Sequence, residues 1–210
     1  MNGIAFGNYH SYNDFGLVLS SKVIGYPSVK KTSIDVPGAD GELDFTDFFG
    51  QTRFNNRKLT FNFSIIGSNQ LSVYSDFKNA VHGQKVKIVL DNDSNFYYYG
   101  RVSVGDYSWS KGIGSVTVEC DCDPWKYHNV ETNITLNGYS FQNISVDRKS
   151  VVPTITATGE GTLYFNGQSF SFSEGTFTVP EIIFKHDANN ECEWDSDSGQ
   201  ITFTFREGSF

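Results

Sequence analysis

Residues 33–45, SIDVPGADGELDF, gather Asp35, Asp40, Glu42 and Asp44 around Gly38 and Gly41. Carboxylates this dense could hold calcium or share acid–base work. An EF-hand loop needs oxygen ligands at its first, third and fifth positions, a glycine at the sixth and a glutamate at the twelfth. Counting from Asp35 puts Pro37 and Ala39 at ligand positions, so the loop fails. DNDSNFYYYGRV comes nearer, with Asp91, Asp93 and Asn95 in place, but Phe96 replaces the glycine and Val102 the glutamate. It reads as a polar turn between two strands. Glu193, Asp195 and Asp197 in EWDSDSG read as a solvated turn.

Other chemistries fare no better. His10, His82, His128 and His186 fall at no metalloprotease or triad spacing, and there is no G-x-S-x-G elbow. KGIGSV lacks the Walker pattern and reads as a hairpin tip between Trp109 and Val116. Nothing singles out a carboxylate pair. The chain is therefore read as a non-enzyme with no catalytic, cofactor-binding or metal residues. Cys120, Cys122 and Cys192 make an odd count without zinc-ligand spacing, which suits buried thiols in a reducing cytoplasm. FYYYG, residues 96–100, sets aromatics on both faces of one strand. Such a strand either lies between layers or meets a partner, which makes Tyr97 and Tyr99 interface candidates. Trp194 and Tyr164 are the candidates for stacking on a sugar.

Strands must position all of these. KLTFNFSII puts Leu59, Phe61, Phe63 and Ile65 on one face. KVKIVLD does the same with Val86, Ile88 and Leu90, and SVTVECDC with Val116, Val118, Cys120 and Cys122. One helix is predicted over 69–82, where Leu71, Tyr74, Phe77 and Val81 follow helical spacing and Gly83 ends it. After residue 130 short β runs alternate with turns, Asn166-Gly167 being the plainest hairpin signal. The predicted organisation is a domain over 1–130 and a small β-sandwich over 131–210.

Charge divides the same way. Residues 1–130 hold 12 basic and 13 acidic residues, 12 − 13 = −1, and residues 131–210 hold 4 and 11, 4 − 11 = −7. An acidic balance argues against tight nucleic-acid binding. The N-terminus, MNGIAFGNYHSYNDFG, has neither the basic nor the apolar region of a signal peptide, and no run is long and apolar enough to span a membrane.

YNDFGL, then VPGADG-LD, then DPWKY, in that order and spacing, resemble the N-terminal domain of the distal tail (Dit) proteins of long-tailed phages infecting Gram-positive bacteria. The likeness covers residues 10–127; VPTITATG and the closing ITFTFREG are similar to that family's C-terminal galectin-like sandwich. The resemblance implies a mainly β protein, with an N-terminal split β-barrel carrying one helix and a C-terminal galectin-like β-sandwich. It implies a homo-hexameric ring at the distal tip of the virion's tail, which is made in the host cytoplasm. The ring joins the major tail tube protein to the tail-associated lysin or tail fibre protein and to receptor-binding proteins. In isolation two such hexamers can stack back to back. DNA would pass through without being specifically bound, and no membrane is involved. Ring closure needs heterologous contacts, which exposed strand edges can supply. The acidic loop then becomes a subunit- or tube-contacting element, with Asp35, Gly38, Asp40, Gly41 and Asp44 as interface candidates. A carbohydrate-binding module recognising host cell-wall polysaccharide is the alternative. KHDANNECEW offers His186, Asn189 and Trp194, but lacks the arginine a galectin site adds.

Overall fold

The computed structural model of the chain describes residues 3–48 and 50–210; Met1, Asn2 and Phe49, which fall inside the stretches read above, lie outside the described residues. The chain divides into two compact units, Met1–Lys126 with Phe210, and Tyr127–Ser209.

The first unit runs β1 (Ile4–Phe6), β2 (Tyr9–His10), β3 (Val18–Ile24), β4 (Ser33–Asp35), β5 (Glu42–Asp44), β6 (Arg57–Ile65), α1 (Gln70–Val81), β7 (Lys85–Leu90), β8 (Phe96–Ser110) and β9 (Ile113–Cys122). A 3-10 turn at Asp91–Asp93 joins β7 to β8. The main ladder is ordered β2-β1-β7-β8-β9-β6-β3. Alternation sets its core: Leu59, Phe61, Phe63 and Ile65 on β6 are at most 1% exposed, each contributing roughly 1.5–3 kcal/mol. In a flat sheet β1 and β6, four strand spacings apart, would be separated by about 19 Å. Yet Phe6 on β1 meets Phe61 at 6.0 Å and Phe63 at 6.4 Å between ring centroids. The ladder therefore curls on itself and stays open between β2 and β3, which makes it a split barrel.

The helix fills the curl. Phe77, fully buried, meets Phe6 at 5.9 Å, Phe15 at 5.3 Å and Phe63 at 6.2 Å. Asn69 makes no side-chain cap. The first turn is held instead by Gln70, whose Nε2 donates to Gly67 O and Gly112 O and whose Oε1 accepts from Tyr107 Oη.

After β10 (Lys126–His128) come β11 (Thr132–Asn137), β12 (Ser140–Asn143), β13 (Thr154–Ala157), β14 (Gly161–Phe165), β15 (Gln168–Phe172), β16 (Gly175–Thr178), β17 (Glu191–Asp195), β18 (Gln200–Phe205) and β19 (Gly208–Ser209). Two four-stranded antiparallel sheets, β11-β18-β13-β16 and β12-β17-β14-β15, form a sandwich. Ile155, Ile201 and Phe203 from one sheet and Leu163, Cys192 and Trp194 from the other share its core. Asn166 and Gly167 turn the β14–β15 hairpin with φ of 48° and 81°. The molecule is thus mainly β with a single helix among the described residues. No helix there is long and apolar enough to cross a membrane.

Candidate assembly surface

Between β3 and β6 the chain leaves the main ladder as a long hairpin arm. Its root is built on close contact. Gly25 donates its N–H to Lys58 O at 2.9 Å, and a Cβ there would lie 2.6 Å from that oxygen, so only glycine fits. Arg57, 2% exposed, donates from Nε to Gly25 O at 2.8 Å and from Nη1 to Pro124 O at 3.4 Å, and lies 5.0 Å over the Tyr98 ring. Phe54 packs edge-on against Trp125 at 5.5 Å. The DPWKY stretch thus serves as the seat of the arm.

Farther out, Asn55 N–H donates to Ser28 O, Lys30 N–H to Arg53 O, and Phe45 N–H to Thr32 O. β4 and β5 then pair, Ser33 with Asp44 and Asp35 with Glu42. Gly38 and Gly41 shape the tip at φ of 88° and 75°, the left-handed region where other side chains are strained. The acids work locally. Glu42 accepts from Ser33 Oγ, Asp47 from Thr52 Oγ1, and Asp44 from Thr46 N–H. The hydrogen bonds from the Thr46 side chain and backbone hold the Asp44 carboxyl below its ordinary range.

Asp35, Gly38, Asp40, Gly41 and Asp44 thus come together on one exposed element. Along the arm Tyr26, at its root, is 85% exposed, Phe48 71%, and Ile34 and Leu43 54% each. Among the described residues the arm's two strands pair only with each other. An isolated two-stranded hairpin is marginal in water, and unpaired edges with exposed apolar side chains are what association covers.

The other two interface candidates lie on β8. Each ring of the aromatic run meets a cation: Lys126 over Phe96 at 4.1 Å, Lys87 over Tyr97 at 4.6 Å, Arg57 over Tyr98 at 5.0 Å, Lys85 over Tyr99 at 4.9 Å. Tyr97 is only 8% exposed, so the contact role expected of it is corrected: it packs within its own subunit. Tyr99, at 37%, remains available.

No family model and no curated protein matches the chain. Among solved structures it matches the SPP1 Dit (gp 19.1) protein, described as a paradigm of the hub adsorption apparatus in Gram-positive-infecting phages. The TM-score is 0.73 at 15% identity, covering 98% of this chain and 99% of that chain. The chain has the Dit fold.

Within that fold the first motif also has a physical role. In YNDFGL, Asp14 accepts the His10 N–H at 2.6 Å, Leu17 is fully buried, and Phe15 packs on α1 through Phe77. The acids tested for calcium are tied to neighbours: Asp91 to Gly3 N–H at 2.6 Å and His10 Nε2 at 3.0 Å, Asp93 to Lys126 at 3.2 Å. Burial would raise the Asp91 carboxyl, but the Gly3 and His10 hydrogen bonds and the imidazole's charge outweigh it and hold it below its ordinary value. All three thiols are buried, and burial pushes Cys122 and Cys192 up to about 12 and Cys120 higher still.

In the Dit fold's second unit, the sugar-stacking assignment of Trp194 is corrected. The residue is fully buried, and its Nε1 donates to Gly199 O at 3.0 Å, so no ring face is left for a ligand. Tyr164 is 39% exposed on β14. It stands opposite Glu193, whose other cross-strand neighbour is Phe141, 61% exposed. Sequence reasoning missed Phe141, because its place beside Glu193 depends on the pairing of β12 with β17. It also missed Asn190, 1% exposed, which fastens Ile144 and Lys185 through its side-chain amide. His186 and Asn189 line a pocket with Ser145, Lys185 and Asp187.

Proposed function

We propose that the chain is a structural distal-tail hub protein of a phage infecting a Gram-positive host. It works as a homo-hexameric ring between the tail tube and the tail-tip lysin, fibre or receptor-binding proteins, around the DNA exit channel. The observation that carries this reading is the end-to-end match to SPP1 Dit, with 98% of one chain laid on 99% of the other. The exposed arm supports it, because a ring subunit must offer one surface that reaches a neighbour and another that receives it. The first 130 residues, at 12 − 13 = −1, carry no basic excess that would hold DNA passing the ring. Its role is non-enzymatic. Light scattering on the purified protein should give about 141 kDa, six times the 23.5 kDa chain, or twice that for stacked rings. A monomer at every concentration would overturn the reading.

A second reading has one observation behind it. Phe141 and Tyr164 flank Glu193 on the outer face of one sandwich sheet, with the two strands about 9.5 Å apart. Two rings beside a carboxylate can stack on and hydrogen-bond a saccharide of the cell wall. Titration with host cell-wall polysaccharide should then give binding that Tyr164→Ala and Phe141→Ala each abolish; binding indifferent to both changes, or none, removes this reading.

A further inference from the structure

His128, Asp147 and Glu207 each place one donor atom within 4.8 Å of the other two. They form the one group of three such ligands among the described residues. They come from distant stretches of the second unit: the end of β10, the loop between β12 and β13, and the turn between β18 and β19. Backbone bonds bring the stretches together. His128 N–H donates to Glu207 O at 3.1 Å and Lys149 N–H to Gly208 O at 2.9 Å. Arg206 Nη1 donates to His128 O at 2.6 Å, while its Nη2 pairs with Glu131 at 3.0 Å.

We propose that His128, Asp147 and Glu207 form a zinc-type divalent metal site that clamps these stretches together. The donor set is one imidazole nitrogen and two carboxylate oxygens, a borderline combination that suits zinc better than calcium or magnesium. Ligands about 2.0–2.2 Å from a tetrahedral ion lie about 3.4 Å apart. His128 Nε2 and Asp147 Oδ2 stand at 2.9 Å, so a small opening admits the ion. Glu207 is already oriented. Its Oε1 accepts from Thr132 Oγ1 at 2.7 Å, the kind of outer hydrogen bond that fixes a ligating carboxylate. A dication between the two carboxylates would turn their mutual repulsion into attraction, in competition with the His128–Asp147 pair and the neighbouring cations of Arg148, Lys149 and Arg206. The unit as a whole is acidic, with 4 basic and 11 acidic residues from position 131 on, 4 − 11 = −7. Three protein ligands leave a fourth position for water. The remaining His–Asp pairs are poorer in donors. His10 shares Asp91 with the Gly3 N–H, and His186 pairs with Asp187, which is 82% exposed.

The full chain, stripped of metal by chelator dialysis, is titrated with zinc in a calorimeter and melted with and without the ion. One zinc per chain should bind and raise the melting temperature, while magnesium and calcium do neither. Glu207→Gln, which keeps the size and the Thr132 contact, should weaken zinc at least tenfold. His128→Asn should do the same, and Thr132→Val should cost about tenfold. His10→Gln and His186→Gln should bind as the parent does. No zinc heat, or zinc binding undiminished in a folded Glu207→Gln protein, would overturn the site.

Discussion

Asp91 closes the first unit at one point of contact. Its carboxylate takes the Gly3 N–H at the start of β1 and the His10 ring at the end of β2, while its backbone begins the turn after β7. Because its folded pKa lies below its unfolded one, its contribution is fully present above the ordinary aspartate value near ~4 and is lost as pH falls through the folded value. Asp91→Asn should therefore cost about 1 kcal/mol at pH 7, the figure for a charge-assisted bond discounted for partial exposure. The gap between parent and variant should close below about pH 4. Denaturant melts at pH 7 and pH 3 check this; a gap that persists at pH 3 would mean that shape, not charge, matters at this position. Arg57 works at the same scale by a different means. Its guanidinium serves carbonyl oxygens of Gly25 and Pro124 and a tyrosine face, a buried cation used as a multi-pronged donor.

Among the elements, the arm carries the strongest consequence. Its apolar residues lie outside both cores, so changing them should leave the fold intact and remove whatever covers them. Ile34→Asp with Leu43→Asp, each residue 54% exposed in the subunit, should leave the melting temperature of the monomeric protein within a few degrees. In the proposed ring the same pair should abolish the hexamer in light scattering. Gly41→Val adds backbone strain at φ of 75° and should act in the same direction. Hexamers intact in both would make the arm an ordinary surface hairpin. How far the sequence reached can be judged on these same elements. The alternation of KLTFNFSII and the spacing of Tyr74, Phe77 and Val81 read directly as β6 and α1, because each buries one face against a single core; Leu71, expected on that face, is 62% exposed, and the buried Gln70 holds the first turn instead. Gly38 and Gly41 announced the tip of the arm. Its length did not show, since residues 28–30 and 53–55 pair through scattered backbone bonds and one isolated bridge, Val29 with Phe54, that leave no alternating pattern. Trp194 misled for a related reason: a tryptophan among acids looks exposed, but Glu193 and Asp195 point outward on the same strand and turn it inward.

For the molecule as a whole, two cores in one chain imply two partly separable stabilities. One core gathers Leu59, Phe61, Phe63 and Phe77; the other gathers Leu163, Trp194, Ile201 and Phe203. We expect two transitions in scanning calorimetry. Leu59→Ala and Leu163→Ala each empty a fully buried site, at about 2–5 kcal/mol, and each should lower one transition by about 10 °C while sparing the other. Assembly sharpens the test. The arm belongs to the first unit, so the proposed ring, if held by its arms, would stabilise that unit by mass action. Only the transition that Leu59→Ala lowers should then climb with protein concentration, and the Ile34→Asp, Leu43→Asp pair should remove the climb. A single transition, moved equally by both core changes, would instead mean that the two cores melt as one cooperative body and that ring formation reports on the whole chain.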